Sequence, residues 1–269
     1  MKIVAIVQAR MGSTRLPDKV MKPISGTPMI GVLLQRLSLS KKIDNIILAT
    51  SLNEQNNSLV EYVSKLGYSV FRGSEEDVLE RYYKAALEFN PDIIVRITGD
   101  CPLVDHEVVD EMISRFQKND IDYISNMSPP TYPDGIDAEV FSFSSLENAL
   151  KSTHKQRDRE HVTPYIRESG KFRTMNMANE KDYSNERWTV DEPEDYEVIK
   201  FIFKSFYPNI SFGWREVIKL RNLNSEIFFE NKHIIRNEGS SIGTGQKLWK
   251  RAKKIIPGGN MLLSKRPEM

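Results

Sequence analysis

The chain has 269 residues, of which 39% are hydrophobic and 28% charged, and Lys+Arg 38 against Asp+Glu 37 leave a formal net charge of +1. That length suits one large α/β domain with a short appendage, while the balanced charge argues against a protein that coats nucleic acid. A single cysteine excludes an internal disulfide framework, the four scattered histidines argue against a histidine-built metal site, and no run reaches the ~20 apolar residues of a membrane span.

The N-terminus enters a strand-like run directly, Lys2–Gln8, with no cleavable leader pattern, so a cytoplasmic location is expected. Pro28–Leu39 reads as a helix with Met29, Ile30, Leu33, Leu34 and Leu37 on one face. A strand at Asn45–Thr50, a helix over Glu54–Leu66 and a short strand at Tyr68–Phe71 follow. Ser74 reads as an N-cap, with Asp77 three positions on, before a helix over Val78–Phe89. Asp92–Thr98 is the most β-like run of the chain, and a helix over Asp105–Phe116 comes next. This alternation predicts a three-layer α/β/α, Rossmann-like domain with a mostly parallel sheet.

After Ile121 the alternation weakens. Asp122–Met127, Ile136–Phe143, Phe172–Ala178 and Arg187–Val190 read as strands, and Ser128–Gly135 as a loop with three prolines. Ser145–Ser152, Arg159–Glu168, Pro193–Phe206 and Trp214–Arg221 read as helices, the third opened by a proline in its first turn. Such a mixed segment suits a cover over the sheet's active edge or a contact between copies. The stretch Asn237–Met269 is rich in glycine and lysine, with one helical period at Gln246–Ile256. The expected division is a domain over 1–222 and a tail over 223–269.

In parallel sheets ligands sit in the loops after the strands, which singles out the segments following Gln8 and Thr98. The first, Gln8-Ala9-Arg10-Met11-Gly12-Ser13-Thr14-Arg15-Leu16-Pro17-Asp18-Lys19, joins cations, hydroxyls and a glycine directly to a buried strand. Backbone N–H groups around Gly12, Ser13 and Thr14 suit phosphate oxygens, with Arg15 and Lys19 as counter-charges. The segment matches neither the P-loop nor the GxGxxG pattern, and a solvated basic turn is the alternative reading.

Ala9–Lys19 resembles the signature of sugar nucleotidyltransferases, above all the cytidylyltransferases that make CMP-activated acidic sugars and the related spore coat polysaccharide biosynthesis protein F family. Further matches follow in order: Phe71–Tyr82 (FRGSEEDVLERY), Thr98–Val104 (TGDCPLV), Asp134–Ser142 (DGIDAEVFS), Arg159–Thr163 (REHVT) and Thr189–Tyr196 (TVDEPEDY). The resemblance spans about residues 1–220. It implies transfer of a cytidylyl group from CTP to an acidic or amino sugar, with release of pyrophosphate, for a surface polysaccharide. It also implies a homodimer formed through residues ~120–170, and no role for nucleic acid or membrane.

By resemblance, Arg15 and Lys19 hold the triphosphate, and Asp100 and Asp191 ligate Mg²⁺. Arg15, Lys19 and Asp100 form the catalytic set. Gln8, Ala9, Arg10, Arg72, Ser74, Asp77 and Thr98 join the nucleotide pocket. Asp100 as a turn residue, Asp191 as part of an ordinary helix start and Ser74 as a simple cap remain open alternatives. Glu192 and Asp195 read as partners of the following helix dipole rather than as ligands. Cys101 reads as a small buried residue, not a nucleophile.

Acceptor candidates are Tyr132, Asp137, Glu139, Arg157, Arg159, Glu160 and His161. Either arginine suits a sugar carboxylate; the alternative for each residue is a salt-bridged surface or a contact between copies. The acceptor motifs of octulosonate and neuraminate enzymes are not found clearly in this region. A polyol phosphate or aminoalkylphosphonate acceptor, or a non-catalytic nucleotide-binding subunit that partners an aminotransferase, are competing readings. Gly245–Asn260 (GQKLWKRAKKIIPGGN) resembles the opening of a glutamate-1-semialdehyde-type, pyridoxal-phosphate-dependent aminotransferase. It suggests a piece of a longer bifunctional polypeptide or a split remnant, the alternative being a basic amphipathic tail that docks on a partner.

Overall fold

The computed structural model describes residues 1–234 and residue 236. Strand β1 (Ile3–Gln8) is followed by a short hairpin, β2 (Pro23–Ile24) and β3 (Thr27–Pro28), and helix α1 (Met29–Leu37). Next come β4 (Asn45–Ser51), α2 (Asn57–Lys65), β5 (Ser69–Gly73), α3 (Val78–Phe89), β6 (Ile93–Thr98) and α4 (His106–Lys118). The second half holds β7 (Tyr123–Ser125), β8 (Glu139–Ser142), α5 (Phe143–Ser152), α6 (Gln156–His161), α7 (Pro164–Glu168) and β9 (Thr174–Asn176). It closes with α8 (Pro193–Phe206), α9 (Trp214–Leu223) and α10 (Ser225–Phe229).

Seven strands form one sheet in the order β5-β4-β1-β6-β8-β7-β9. β5, β4, β1 and β6 run parallel; β8 is antiparallel to β6 and to β7, and β7 is parallel to β9. The predicted three-layer, mostly parallel architecture is the one observed. Because side chains alternate along a strand, each strand feeds two cores. Ala5, Val7, Leu48, Val95 and Ile97 pack with α1, α2, α4, α8 and α9 on one face. Val4, Ile6, Ile47, Ala49 and Ile94 pack with α3, α5 and α7 on the other.

Local signals set several boundaries. The Asp77 carboxylate accepts from Glu80 N at 3.0 Å and caps α3, while Ser74 Oγ accepts from Asp77 N, so the cap lies three residues after the predicted one. Asp105 caps α4, and Glu192 and Asp195 form a reciprocal capping box at α8. The helix predicted over Arg159–Glu168 is two helices, broken at buried Val162 (φ 70), where Thr163 N donates to His161 O at 2.8 Å. Holding a β-branched residue there costs on the order of 1–3 kcal/mol.

Arg187–Val190 is not a strand of the sheet. Its backbone bonds to loops instead: Trp188 N donates to Asp134 O at 2.6 Å and Val190 N to Asp100 O at 2.8 Å. Gly135 (φ +109) permits this approach, since a Cβ there would lie 2.4 Å from Thr189 N. Packing also continues past the boundary predicted at 222: Phe228 is buried, and the compact unit runs over Met1–Asn231. The tail readings at Gly245–Asn260 and Gln246–Ile256 lie outside the described residues. No helix among the described residues is long and apolar enough to cross a membrane.

Candidate active site

The carboxyl ends of β1 and β6 lie side by side, with Gln8 opposite Thr98. Gly99 N donates to Gln8 O at 2.7 Å, and a Cβ at Gly99 would stand 2.6 Å from the Ala9 Cβ and 3.0 Å from Gln8 O. The two predicted loops are therefore pressed together at a position that has no room for a side chain. We predict that Gly99→Ala costs about 1–3 kcal/mol in urea unfolding through overpacking. By displacing the loop it lowers kcat/KM about 10²-fold.

The loop after β1 is anchored from within by buried Met11 and Leu16. Asn56, also buried, accepts from Met11 N at 2.9 Å and donates to Ser51 Oγ at 2.8 Å. Gly12, Thr14 and Arg15 are exposed and Ser13 is half-buried, leaving that part of the loop open to a ligand. Arg10 donates to Glu75 at 2.6 Å, and Glu75 also accepts from Ser51 and Asn53. Asn56 escapes the sequence analysis because an asparagine in a helix start looks like surface.

Lys19 reaches across to the second loop. Its ammonium donates to Asp191 Oδ1 at 2.8 Å and to the Val190 carbonyl at 2.8 Å, and lies 3.5 Å from Asp100 Oδ2. Burial opposes the ammonium charge, but the carboxylates of Asp100 and Asp191 outweigh it and hold its pKa above the usual lysine value. Burial likewise opposes ionisation of Asp100, yet Lys19 and a Thr98 hydrogen bond keep that carboxyl below its usual value. Cys101 is buried, and burial with the charges of Asp100 and Asp137 pushes its thiol pKa well up, which disfavours the thiolate.

Asp191 stands outside the helix cap, which Glu192 and Asp195 form between themselves. Its backbone N–H donates to Asp195 Oδ2 at 3.0 Å, its Oδ1 lies 3.0 Å from the Arg15 guanidinium, and its Oδ2 lies 3.6 Å from Arg187. Arg187 is buried, donates twice to Asp195 at 2.8 and 2.9 Å, and reaches Asp134 at 3.1 Å. Arg187, Asp195 and Asp134 thus orient the Asp191 segment. The available signal was an arginine set directly before the apolar positions Trp188 and Val190 in Glu-Arg-Trp-Thr-Val.

Other predicted residues are placed differently. Arg72 spends its donors on the carbonyls of Ser51, Leu52 and Asn53 and on Asn57, closing the end of β4. Asp77 and Arg159 are ion-paired to each other across α3 and α6, with Arg159 Nε 2.9 Å from Asp77 Oδ2. Arg157 pairs with Glu168 at 2.7 Å. Tyr132 is buried, edge-on to Trp214 at 5.5 Å between ring centroids.

Glu139 is 1% exposed, accepts from Tyr123 Oη and Thr163 Oγ1 at 2.5 Å each, and is ion-paired with Arg96. Expected as an acceptor contact, it stands in the core with its carboxylate oxygens engaged by these partners. Arg96, a charge inside a buried strand, was its legible signal; it also donates to Gln8 Oε1 at 3.3 Å. Asp137 and His161 are half-buried and Glu160 is exposed. Burial lowers the His161 pKa below its ordinary value despite Glu160.

Among the described residues no three His, Cys, Asp or Glu side chains form a metal cage. Two carboxylates meeting at one ammonium do fit Mg²⁺, which commonly takes one or two carboxylates and completes its shell with phosphate and water.

Comparison with known proteins agrees with this geometry. The family model for cytidylyltransferases matches residues 4–234. The chain is 38% identical to uncharacterized protein MJ1063 of Methanocaldococcus jannaschii over 237 residues, 87% of this chain and 96% of that protein. It is 36% identical to the spore coat polysaccharide biosynthesis protein SpsF of Bacillus subtilis over 239 residues, 86% of this chain and 98% of the relative. A solved cytidylyltransferase from Leptospira borgpetersenii, 38% identical, superposes with a TM-score of 0.81 over 85% of this chain and 97% of its own. A doubly covered sheet, two loops pressed together at its carboxyl edge and a family match across nearly the whole described unit lead to one conclusion: the chain belongs to the cytidylyltransferases, a family of nucleotidyltransferase enzymes.

Proposed function

We propose that this enzyme transfers a cytidylyl group from CTP to a hydroxyl of an acidic or amino sugar, releasing pyrophosphate, in the assembly of a surface polysaccharide. The observation that carries the reading is the convergence of Arg15 and Lys19 with Asp100 and Asp191 at the ends of β1 and β6. The sugar class rests on the motif resemblance and on the polysaccharide role named for the Bacillus relative.

In the reaction the acceptor oxygen bonds to the α-phosphorus as the bond to the pyrophosphate oxygen breaks, and the hydroxyl proton passes to solvent or to the departing pyrophosphate. Such a transfer calls for alignment and charge neutralisation more than covalent help. The backbone at Gly12 and Thr14 cradles phosphate oxygens, the Ser13 N–H being bonded to the Met11 carbonyl at 2.5 Å, and Arg15 and Lys19 neutralise the departing pyrophosphate. Asp100 and Asp191 would hold Mg²⁺, which supplies Lewis-acid polarisation of the phosphate oxygens when bound. Gln8 and Thr98, on adjacent strand ends, line the floor beneath the nucleotide. The His161 ring and the Asp137 carboxylate suit hydroxyl or amine groups of the acceptor. Arg157 and Arg159, ion-paired within the protein, serve structure first.

A pyrophosphate-release screen tests the proposal, with CTP, UTP, ATP and dTTP each offered sugar acids, amino sugars, polyol phosphates and aminoalkylphosphonates. Release is expected with CTP and a sugar acid or amino sugar, lost in EDTA and restored by Mg²⁺. Release with a phosphorylated polyol or a phosphonate alone would move the acceptor to another class. Nucleotide binding with no turnover on any acceptor would make the chain a binding subunit.

A further inference from the structure

The carboxylates that suit a metal ion already have cationic partners. The Lys19 ammonium, with 13% of its side chain exposed, lies within 3.5 Å of three oxygens: Asp191 Oδ1, Asp100 Oδ2 and the Val190 carbonyl. Arg15 adds a guanidinium 3.0 Å from the same Asp191 oxygen and 3.2 Å from Glu192 Oε1. Two carboxylates and a carbonyl are the donors of a small hard cation. Yet Lys19 and Arg15 are also the cations placed to receive a triphosphate, and a single ammonium cannot serve both sets of oxygens at full strength.

We propose that Lys19 and Arg15 are surrogate cations that hold the two aspartates until a triphosphate draws them away. Metal ion and nucleotide then bind as coupled ligands, each weakly without the other. The proposal rests on the assignment of the metal to Asp100 and Asp191 made above. A metal arriving alone must displace the ammonium and the guanidinium from the aspartates, leaving Lys19, with 13% of its side chain exposed, only the Val190 carbonyl and Arg15 only Glu192. A nucleotide arriving alone must strip the same cations and leave Asp100 without a counter-charge and Asp191 with only Arg187, at 3.6 Å. When both arrive, phosphate takes the cations and the metal takes the carboxylates, so every charge is matched. Linkage makes the effect reciprocal.

The test is Mn²⁺ binding to the full chain without nucleotide, read from the electron paramagnetic resonance of the free ion, so that no turnover is needed. Lys19→Met is expected to bind Mn²⁺ at least tenfold more tightly than wild type, and Arg15→Met to shift it less in the same direction. In wild type, Mn²⁺ is expected to tighten CTP at least tenfold, and in Lys19→Met that coupling falls toward onefold. A merely structural lysine would have the opposite effect, because its loss would loosen the aspartates and weaken the metal. If Lys19→Met does not fold, by circular dichroism, Arg15→Met carries the test.

Two failures are distinguishable. If the Asp100→Asn/Asp191→Asn double variant still binds Mn²⁺ as wild type does, the metal assignment falls and the exchange with it. If that variant loses the metal while neither cation variant gains affinity, the exchange alone is overturned.

Discussion

Asp100→Asn should lower kcat about 10³-fold while changing the unfolding free energy by less than about 1 kcal/mol, because it removes a charge the reaction uses and little that the fold uses. The backbone does the structural work at this position: the Asp100 carbonyl accepts from Val190 N at 2.8 Å and from Thr189 Oγ1 at 3.3 Å, and asparagine keeps both bonds. Lys19 retains Asp191 and the Val190 carbonyl at 2.8 Å each. Parallel kinetics and urea melts separate the two effects. Near-normal kcat in the variant would return Asp100 to an ordinary turn and remove it from the metal site.

Glu139→Ala has the opposite profile: a loss of about 3–5 kcal/mol in stability, because a buried Arg96 guanidinium is left without its counter-charge. The hydroxyls of Tyr123 and Thr163 lose their acceptor as well. Adding Arg96→Met should recover part of the loss, since the uncompensated charge then goes too. The pH dependence has a definite sign. Burial works against the Glu139 carboxylate, but Arg96 and the two hydroxyls hold its pKa below the ordinary glutamate value. Its stabilisation is therefore complete above the unfolded-state value, about 4.3, and is lost as pH falls through the lower folded-state value. Glu139→Gln should flatten that acid limb of the stability curve. A raised acceptor KM with unchanged stability would instead make Glu139 the acceptor contact that its motif suggests.

The sequence shows most plainly what is decided locally. The predicted limits of α3 and α8 match the structure to the residue, because an acidic cap opens each helix and a proline starts α8. That the loops after β1 and β6 lie at one edge of the sheet was legible too, because parallel strands end on the same side. Long-range pairings were not legible. Arg187–Val190 is buried at all four positions, and its hydrogen bonds go to loops around Asp134 and Asp100 rather than to a strand. Nothing in the spacing of Arg157 and Arg159 says that Glu168 and Asp77 will neutralise them. The break at Val162 is likewise tertiary, since valine is poorly suited to that backbone conformation and is held there by full burial.

Asn231 carries a consequence of its own. Its amide, at the last residue of the compact unit, donates to Asp195 Oδ1 and to the Arg187 carbonyl, at 2.9 Å each. Asp195 is the acid that fixes the backbone N–H of Asp191. The last residue of the compact unit is thus tied to the acid that positions Asp191, and shortening the polypeptide to the end of α9 would remove that tie.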